Sequence, residues 1–214
     1  MEFRYALYLA VALAVGLLAR ETARALSADR LGDPTPRRWG RLWPSRSMVD
    51  PFGTLILPAL ILVLWGSGAA FRPPPFIYAK PLALDPMYLK KPGRDTVLVS
   101  LAGPVANLVI AVIAGFVLGA GLAGDGLRVG EAFLYANLVL FVFHLMPIPG
   151  LDGARMLALV LPPRAREVYR NLDQYLVLFM LLIFFLLGGP VLAIVDGLAS
   201  ALCDVVAGSN VCAF

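Results

Sequence analysis

The chain is short of charge, of histidine and of cysteine. Asp, Glu, Lys and Arg make up only 15% of its 214 residues, while hydrophobic types make up 60%. A soluble domain carries about 45–50% apolar residues. The balance here excludes an ordinary water-soluble fold and predicts an all-α polytopic membrane protein, residues 1–214 forming one membrane domain. The basic residues fall between the apolar runs, which argues for membrane topology and against nucleic-acid binding. A cleaved signal peptide needs a basic n-region; here Arg4 is offset by Glu2, so the first apolar segment is expected to be retained. No internal repeat, coiled-coil heptad or low-complexity tract is present. With no repeat and no charge pair within a span, a transporter is disfavoured.

Five apolar segments are present. The first, 3–31, reads as a span with a cytoplasmic extension, closed by Gly32-Asp33-Pro34-Thr35-Pro36 because proline removes a donor and disfavours helix just before it. Segment 52–71 is interrupted by Pro58 and ends in Gly66-Ser67-Gly68. Segments 97–123, 131–147 and 176–197 read as further spans, and 198–214 as an external tail. Trp39 and Trp43 among arginines suit a membrane interface or an ordinary polar loop.

Charge then sets an expected topology. If 52–71 enters and returns on one side, sixteen of the eighteen basic residues share one face, leaving Arg4 and Arg128 on the other. The positive-inside rule makes that face cytoplasmic, with four crossings and both termini outside; a tilted full span for 52–71 is the alternative. Arg outnumbers Lys 15 to 3, which suggests a GC-rich bacterial genome and hence a bacterial plasma membrane. An external tail would sit in an oxidising compartment, where Cys203 and Cys212 could form a disulfide or stay as thiols. Arg155, Arg164, Arg166 and Arg170 are expected on anionic headgroups or against a partner.

One stretch carries a chemical signature. Leu17 to Leu26 holds Glu21 between Arg20 and Arg24, residues that share a helix face. That is the frame by which H-E-x-x-H sets two imidazoles on one zinc. Arginine has no lone pair to give a metal, and the chain has a single histidine, His144.

The motifs around this stretch resemble the site-2 protease family of intramembrane zinc metalloproteases. Arg20-Glu21-Thr22-Ala23-Arg24-Ala25 is similar to the family's H-E-x-A-H-A. Asp50-Pro51-Phe52-Gly53-Thr54, Tyr78-Ala79-Lys80-Pro81, Ala102-Gly103-Pro104-Val105-Ala106-Asn107 and Phe143-His144-Leu145-Met146-Pro147-Ile148-Pro149-Gly150-Leu151-Asp152-Gly153 follow in the family's order, covering roughly residues 10–185. The resemblance implies Asp152 as third zinc ligand and Glu21 as general base. The departures bear on the site: arginine stands at both histidine positions, His144 replaces the Asn of F-N-L, Ala154 follows L-D-G, and Ser47-Met48-Val49 precede D-P-F-G-T where relatives often carry a histidine.

The expectation is a degenerate metal site without zinc, in which Arg20 and Arg24 pair with Asp152 and Glu21, or else snorkel to headgroups. His144 reads as a hydrogen-bonded structural residue, with ligation the alternative. Asn107, His144, Pro147 and Pro149 would border a groove, Asn107 bridging helices or touching a bound strand. Phe76, Tyr78 and Pro73-Pro74-Pro75 would be further contacts. The implied function is a non-catalytic binding or accessory subunit for another membrane protein or transmembrane helix. The alternatives are an active zinc protease with an atypical site built on Glu21, His144 and Asp152, and a purely structural subunit of a larger assembly.

Overall fold

A computed structural model of the chain describes residues 3–67 and 75–208. Its α-helices are α1 (Phe3–Leu31), α2 (Thr35–Arg38), α3 (Leu57–Gly66), α4 (Pro92–Gly119), α5 (Asp125–Leu145), α6 (Asp152–Val160), α7 (Pro163–Leu172), α8 (Leu176–Phe185) and α9 (Gly188–Ala207). No strand occurs among the described residues. α1, α4, α5 and α9 are long and apolar enough to cross a membrane. In hydrocarbon a helix satisfies its backbone groups within itself, which is why apolar runs of this length fold this way. The molecule is an all-α polytopic membrane protein.

Each span has two apolar faces. On α1, Leu9, Leu13 and Leu17 are buried, while Leu7, Val11 and Val15 on the other side are exposed. α4 similarly exposes Val105, Val109, Ile113 and Phe116. Stripes at this helical spacing, apolar yet uncovered, suit lipid tails.

Close approaches set the helix directions. Gly16 on α1 lies against Asn107 of α4 and Asn137 of α5, and a Cβ there would stand 2.6 Å from Asn137 Oδ1. One turn further, Gly103 of α4 faces the stems of Arg20 and Arg24, so α1 and α4 are antiparallel. Gly130 faces Leu118, which makes α5 antiparallel to α4, and Gly115 faces Val206, which brings the end of α9 to the end of α4. Small residues at these crossings let backbones meet.

Asn107 is fully buried where α1, α4 and α5 meet. Its Nδ2 donates to the Gly16 carbonyl at 3.0 Å and to Asn137 Oδ1 at 2.9 Å, while Asn137 Nδ2 donates to the Phe133 carbonyl at 2.8 Å. Asn107→Ala is expected to cost roughly 0.6–1.7 kcal/mol, the range for interhelical hydrogen bonds in membranes, read as a lower melting temperature in detergent.

The described part of segment 52–71 is helical from Pro51 to Gly66 and changes from π to α winding on the way. Asp50 caps the amides of Phe52 and Gly53, a π-helical turn runs from Pro51 to Ile56, and α3 follows with Pro58 in its first turn, where a missing N–H is tolerated. α3 ends with Gly66 against Phe3. At Tyr78 the chain is back beside its starting point, the Tyr78 amide donating to the Gly53 carbonyl at 3.4 Å and the Lys80 amide to the Met48 carbonyl at 2.9 Å. Residues 68–71, Pro73 and Pro74 lie outside the described residues.

The last apolar run differs from the expected single span 176–197 with a tail at 198–214. It breaks after α8, and α9 begins afresh at Gly188 and continues to Ala207. Gly188-Gly189-Pro190 gives the physical reason: proline disfavours helix in the residue before it and is accepted in a first turn. α9 also carries Asp196, whose Oδ1 accepts from the Tyr135 hydroxyl of α5 at 2.9 Å. Cys203 is buried and disulfide-bonded; Cys212 and the rest of the tail beyond Gly208 lie outside the described residues.

Candidate functional site

Arg20, Glu21 and Arg24 occupy the last buried turns of α1, each 3% exposed. Asp152 opens α6 and is 1% exposed. The turn between α5 and α6 brings it there. Pro147 and Pro149 stop α5, Gly150 takes a φ of 91° that favours glycine, and the Leu151 amide donates to the Ile148 carbonyl at 3.0 Å. Gly153 then packs on the backbone of Leu145 and Met146 with no room for a Cβ. That contact holds the start of α6 against the end of α5 and aims the Asp152 carboxylate at α1.

The four charges form a closed ring. Arg20 bonds both Glu21 and Asp152 Oδ2. Arg24 Nη1 sits 3.1 Å from each Glu21 oxygen, and its Nη2 is 3.2 Å from Asp152 Oδ1. Each guanidinium thus bridges both carboxylates, and the ring carries no net charge. Charges stripped of water cost several kcal/mol each unless paired, so the arrangement is self-consistent. Gly103, just before Pro104 in α4, makes the space, since the arginine stems lie where its side chain would be.

His144 lies against this ring. Its Nδ1 is 2.9 Å from the Leu140 carbonyl, so Nδ1 carries the hydrogen and Nε2 the lone pair. That Nε2 is buried with no partner among the described residues. Arg20, Glu21, Arg24 and His144 border a cavity of about 10 Å³, completed by Tyr78, Ala79, Pro81, Gly150, Leu151 and Arg155. This is room for about one water molecule. Burial and the Asp50 carboxylate push the Tyr78 phenol far above its usual value, keeping it neutral.

The residues expected at the site divide by location. Arg20, Glu21, Arg24, Asp152 and His144 come together. Asn107 lies a turn away at the helix crossing, and in the connecting turn Pro149 is buried and Pro147 exposed. Phe76 and Tyr78, expected to face a partner, are instead buried at 2% and 3%: Phe76 stacks on Phe143 with ring centroids 4.0 Å apart. Apolar Phe76-Ile77-Tyr78-Ala79 folds inward as extended chain, because in water it would expose a large apolar surface. Arg155 and Arg41 carry no site signal in the sequence, yet Arg155 borders the small cavity. Arg41 is 2% exposed and holds the linker, donating to the carbonyls of Ser47, Lys80 and Pro81; a buried arginine bonded only to carbonyls leaves no spacing signal in sequence.

The donor set does not fit zinc. Catalytic zinc takes three protein ligands and an open position. The Glu21 and Asp152 carboxylates are both taken up by guanidinium N–H groups, leaving a single free imidazole nitrogen. No three His, Cys, Asp or Glu groups converge for a metal among the described residues. A dication here would also meet two guanidiniums, at about 4 kcal/mol per unit charge pair at 4 Å and an effective dielectric of 20.

Comparison with known proteins places this geometry in context. The chain is 36% identical over 199 residues to "Putative zinc metalloprotease YwhC" of Bacillus subtilis, covering 86% of this chain and 84% of that protein. It is 32% identical over 176 residues to "Putative zinc metalloprotease Rip2" of Mycobacterium tuberculosis, covering 79% of this chain and 63% of Rip2. Against the Rip2 of Mycolicibacterium smegmatis it is 33% identical over 178 residues, covering 79% of this chain and 64% of that protein. The chain thus spans just under two thirds of the Rip2 proteins. No family model and no solved structure matches it.

Proposed function

The chain belongs to the site-2-protease-like membrane family of YwhC and Rip2, and from that premise we propose that it has given up hydrolysis and serves as a binding or accessory subunit for another membrane protein. The observation that carries this reading is the bridging of both carboxylates by both arginines. Glu21, at the general-base position, accepts hydrogen bonds from two cations, so its oxygens are committed to guanidinium N–H groups rather than held ready to take a proton. Without a metal, bound water keeps a pKa near that of bulk water and the hydrolytic route closes. The bundle needs no zinc to hold its shape, because the arginines supply the positive charge that binds α1 to α6. The protein sits in a bacterial plasma membrane with its basic loops cytoplasmic and both termini outside.

The test is purification from native membranes in mild detergent, followed by two assays on one sample. The reading expects a membrane protein in fixed ratio to this chain and no cleavage of transmembrane peptides with or without added zinc. Zinc-dependent cleavage abolished by Glu21→Gln would establish the rival reading, an active protease with an atypical site, which rests on likeness to the zinc metalloproteases named above.

A further inference from the structure

A second, larger cavity lies beside the charge ring and is distinct from it. It measures about 430 Å³ and runs between the linker, the first turn of α4, α6 and α7. Leu82, Leu84 and Leu159 form its apolar walls, and Arg155 and Arg166 its charged ones. No acidic residue lines it among the described residues. Arg166 donates to the carbonyls of Ala158, Leu159 and Leu161 at 2.8, 3.0 and 3.3 Å. Carbonyls satisfy its N–H groups without cancelling its charge, so the cation is fixed in place and still attracts an anion.

The position of the cavity narrows its occupant. It opens at the start of a membrane-crossing helix, α4, next to α7, whose sequence is strongly amphipathic and basic. This is the level at which hydrocarbon gives way to headgroups. A site there with apolar walls and two cations matches an amphiphile with a negative head. The geometry points to an anionic phospholipid bound in this cavity, its phosphate toward Arg155 and Arg166 and the first carbons of an acyl chain against Leu82, Leu84 and Leu159. The lipid covers the seam between linker, α4 and α6, the same seam that closes over the charge ring, since Arg155 lines both cavities. The inference goes beyond the non-hydrolytic reading and stands or falls without it.

Native mass spectrometry of the full chain in mild detergent, titrated with phosphatidylglycerol and with phosphatidylcholine, tests it. One phosphatidylglycerol is expected to be retained in preference to phosphatidylcholine. Arg155→Gln should weaken that retention about fivefold, the contribution of one arginine toward an anionic lipid. Arg155→Lys should keep most of it, and Leu159→Trp, which fills the cavity without altering charge, should abolish it. Thermal melting in phosphatidylcholine alone confirms that each variant folds. Equal binding of the two lipids, or phosphatidylglycerol binding unchanged in both Arg155→Gln and Leu159→Trp, would overturn the proposal. So would a co-purifying peptide segment that phosphatidylglycerol fails to displace.

Discussion

Asp152→Ala is expected to destabilise the protein by about 3–5 kcal/mol, the cost of breaking a buried ion pair by removing one partner. The substitution deletes one small side chain, yet it strands positive charge. Arg20 and Arg24 each keep Glu21, but two guanidiniums then share a single carboxylate while 3% exposed. Asp152→Asn should cost nearly as much, because the amide keeps the shape and loses the charge. The informative partner experiment removes the whole ring. A variant with Arg20→Met, Glu21→Gln, Arg24→Met and Asp152→Leu should recover most of the loss, since well-packed neutral replacements of buried ion clusters are often neutral or better. Recovery in the quadruple variant but not in the single one separates a charge penalty from a packing penalty. Equilibrium unfolding in mixed micelles gives both values.

Gly153→Ala should be of similar size for an unrelated reason. A Cβ at this position would run into the carbonyl groups of Leu145 and Met146. Backbone cannot rotate aside as a side chain can, so α6 must be pushed away from α5. Overpacking typically costs about 1–3 kcal/mol and more when the neighbour is rigid; the upper end is expected, together with displacement of Asp152 from the ring. Gly119→Ala is the control. Nothing lies within 4 Å of a Cβ there, and the change should stay within about 0.5 kcal/mol. Helix propensity favours alanine at both positions, so equal losses at the two glycines would show that the α5–α6 contact does not govern the effect.

The parts of this molecule that sequence could specify are those with a period or a fixed spacing. The apolar runs set three of the four helices long enough to cross a membrane, α1, α4 and α5. The four-residue spacing of Arg20 and Arg24 put both on one face, and the order of the motifs set Asp152 opposite them. Spacing along one helix cannot show that each arginine reaches both carboxylates, because that depends on Gly103 leaving room and on Gly153 seating α6. The run from Leu176 to Val195 misled because hydropathy does not register a break between two apolar helices. The turn is carried by Gly188-Gly189-Pro190, and α9 runs on to Ala207 through much of the stretch expected as tail. Phe76 to Ala79 follow a run of prolines and have neither helical nor strand period, so nothing local distinguished a buried strap from an exposed linker.

The measurement closest to the central claim is the zinc content of the full chain purified in mild detergent without chelator, with its melting temperature taken before and after EDTA. The charge-ring account predicts zinc far below one per chain and a melting temperature that EDTA leaves unchanged. About one zinc per chain, removed by EDTA with a loss of stability and absent from Asp152→Ala, is the stoichiometry of a real metal site and would contradict it.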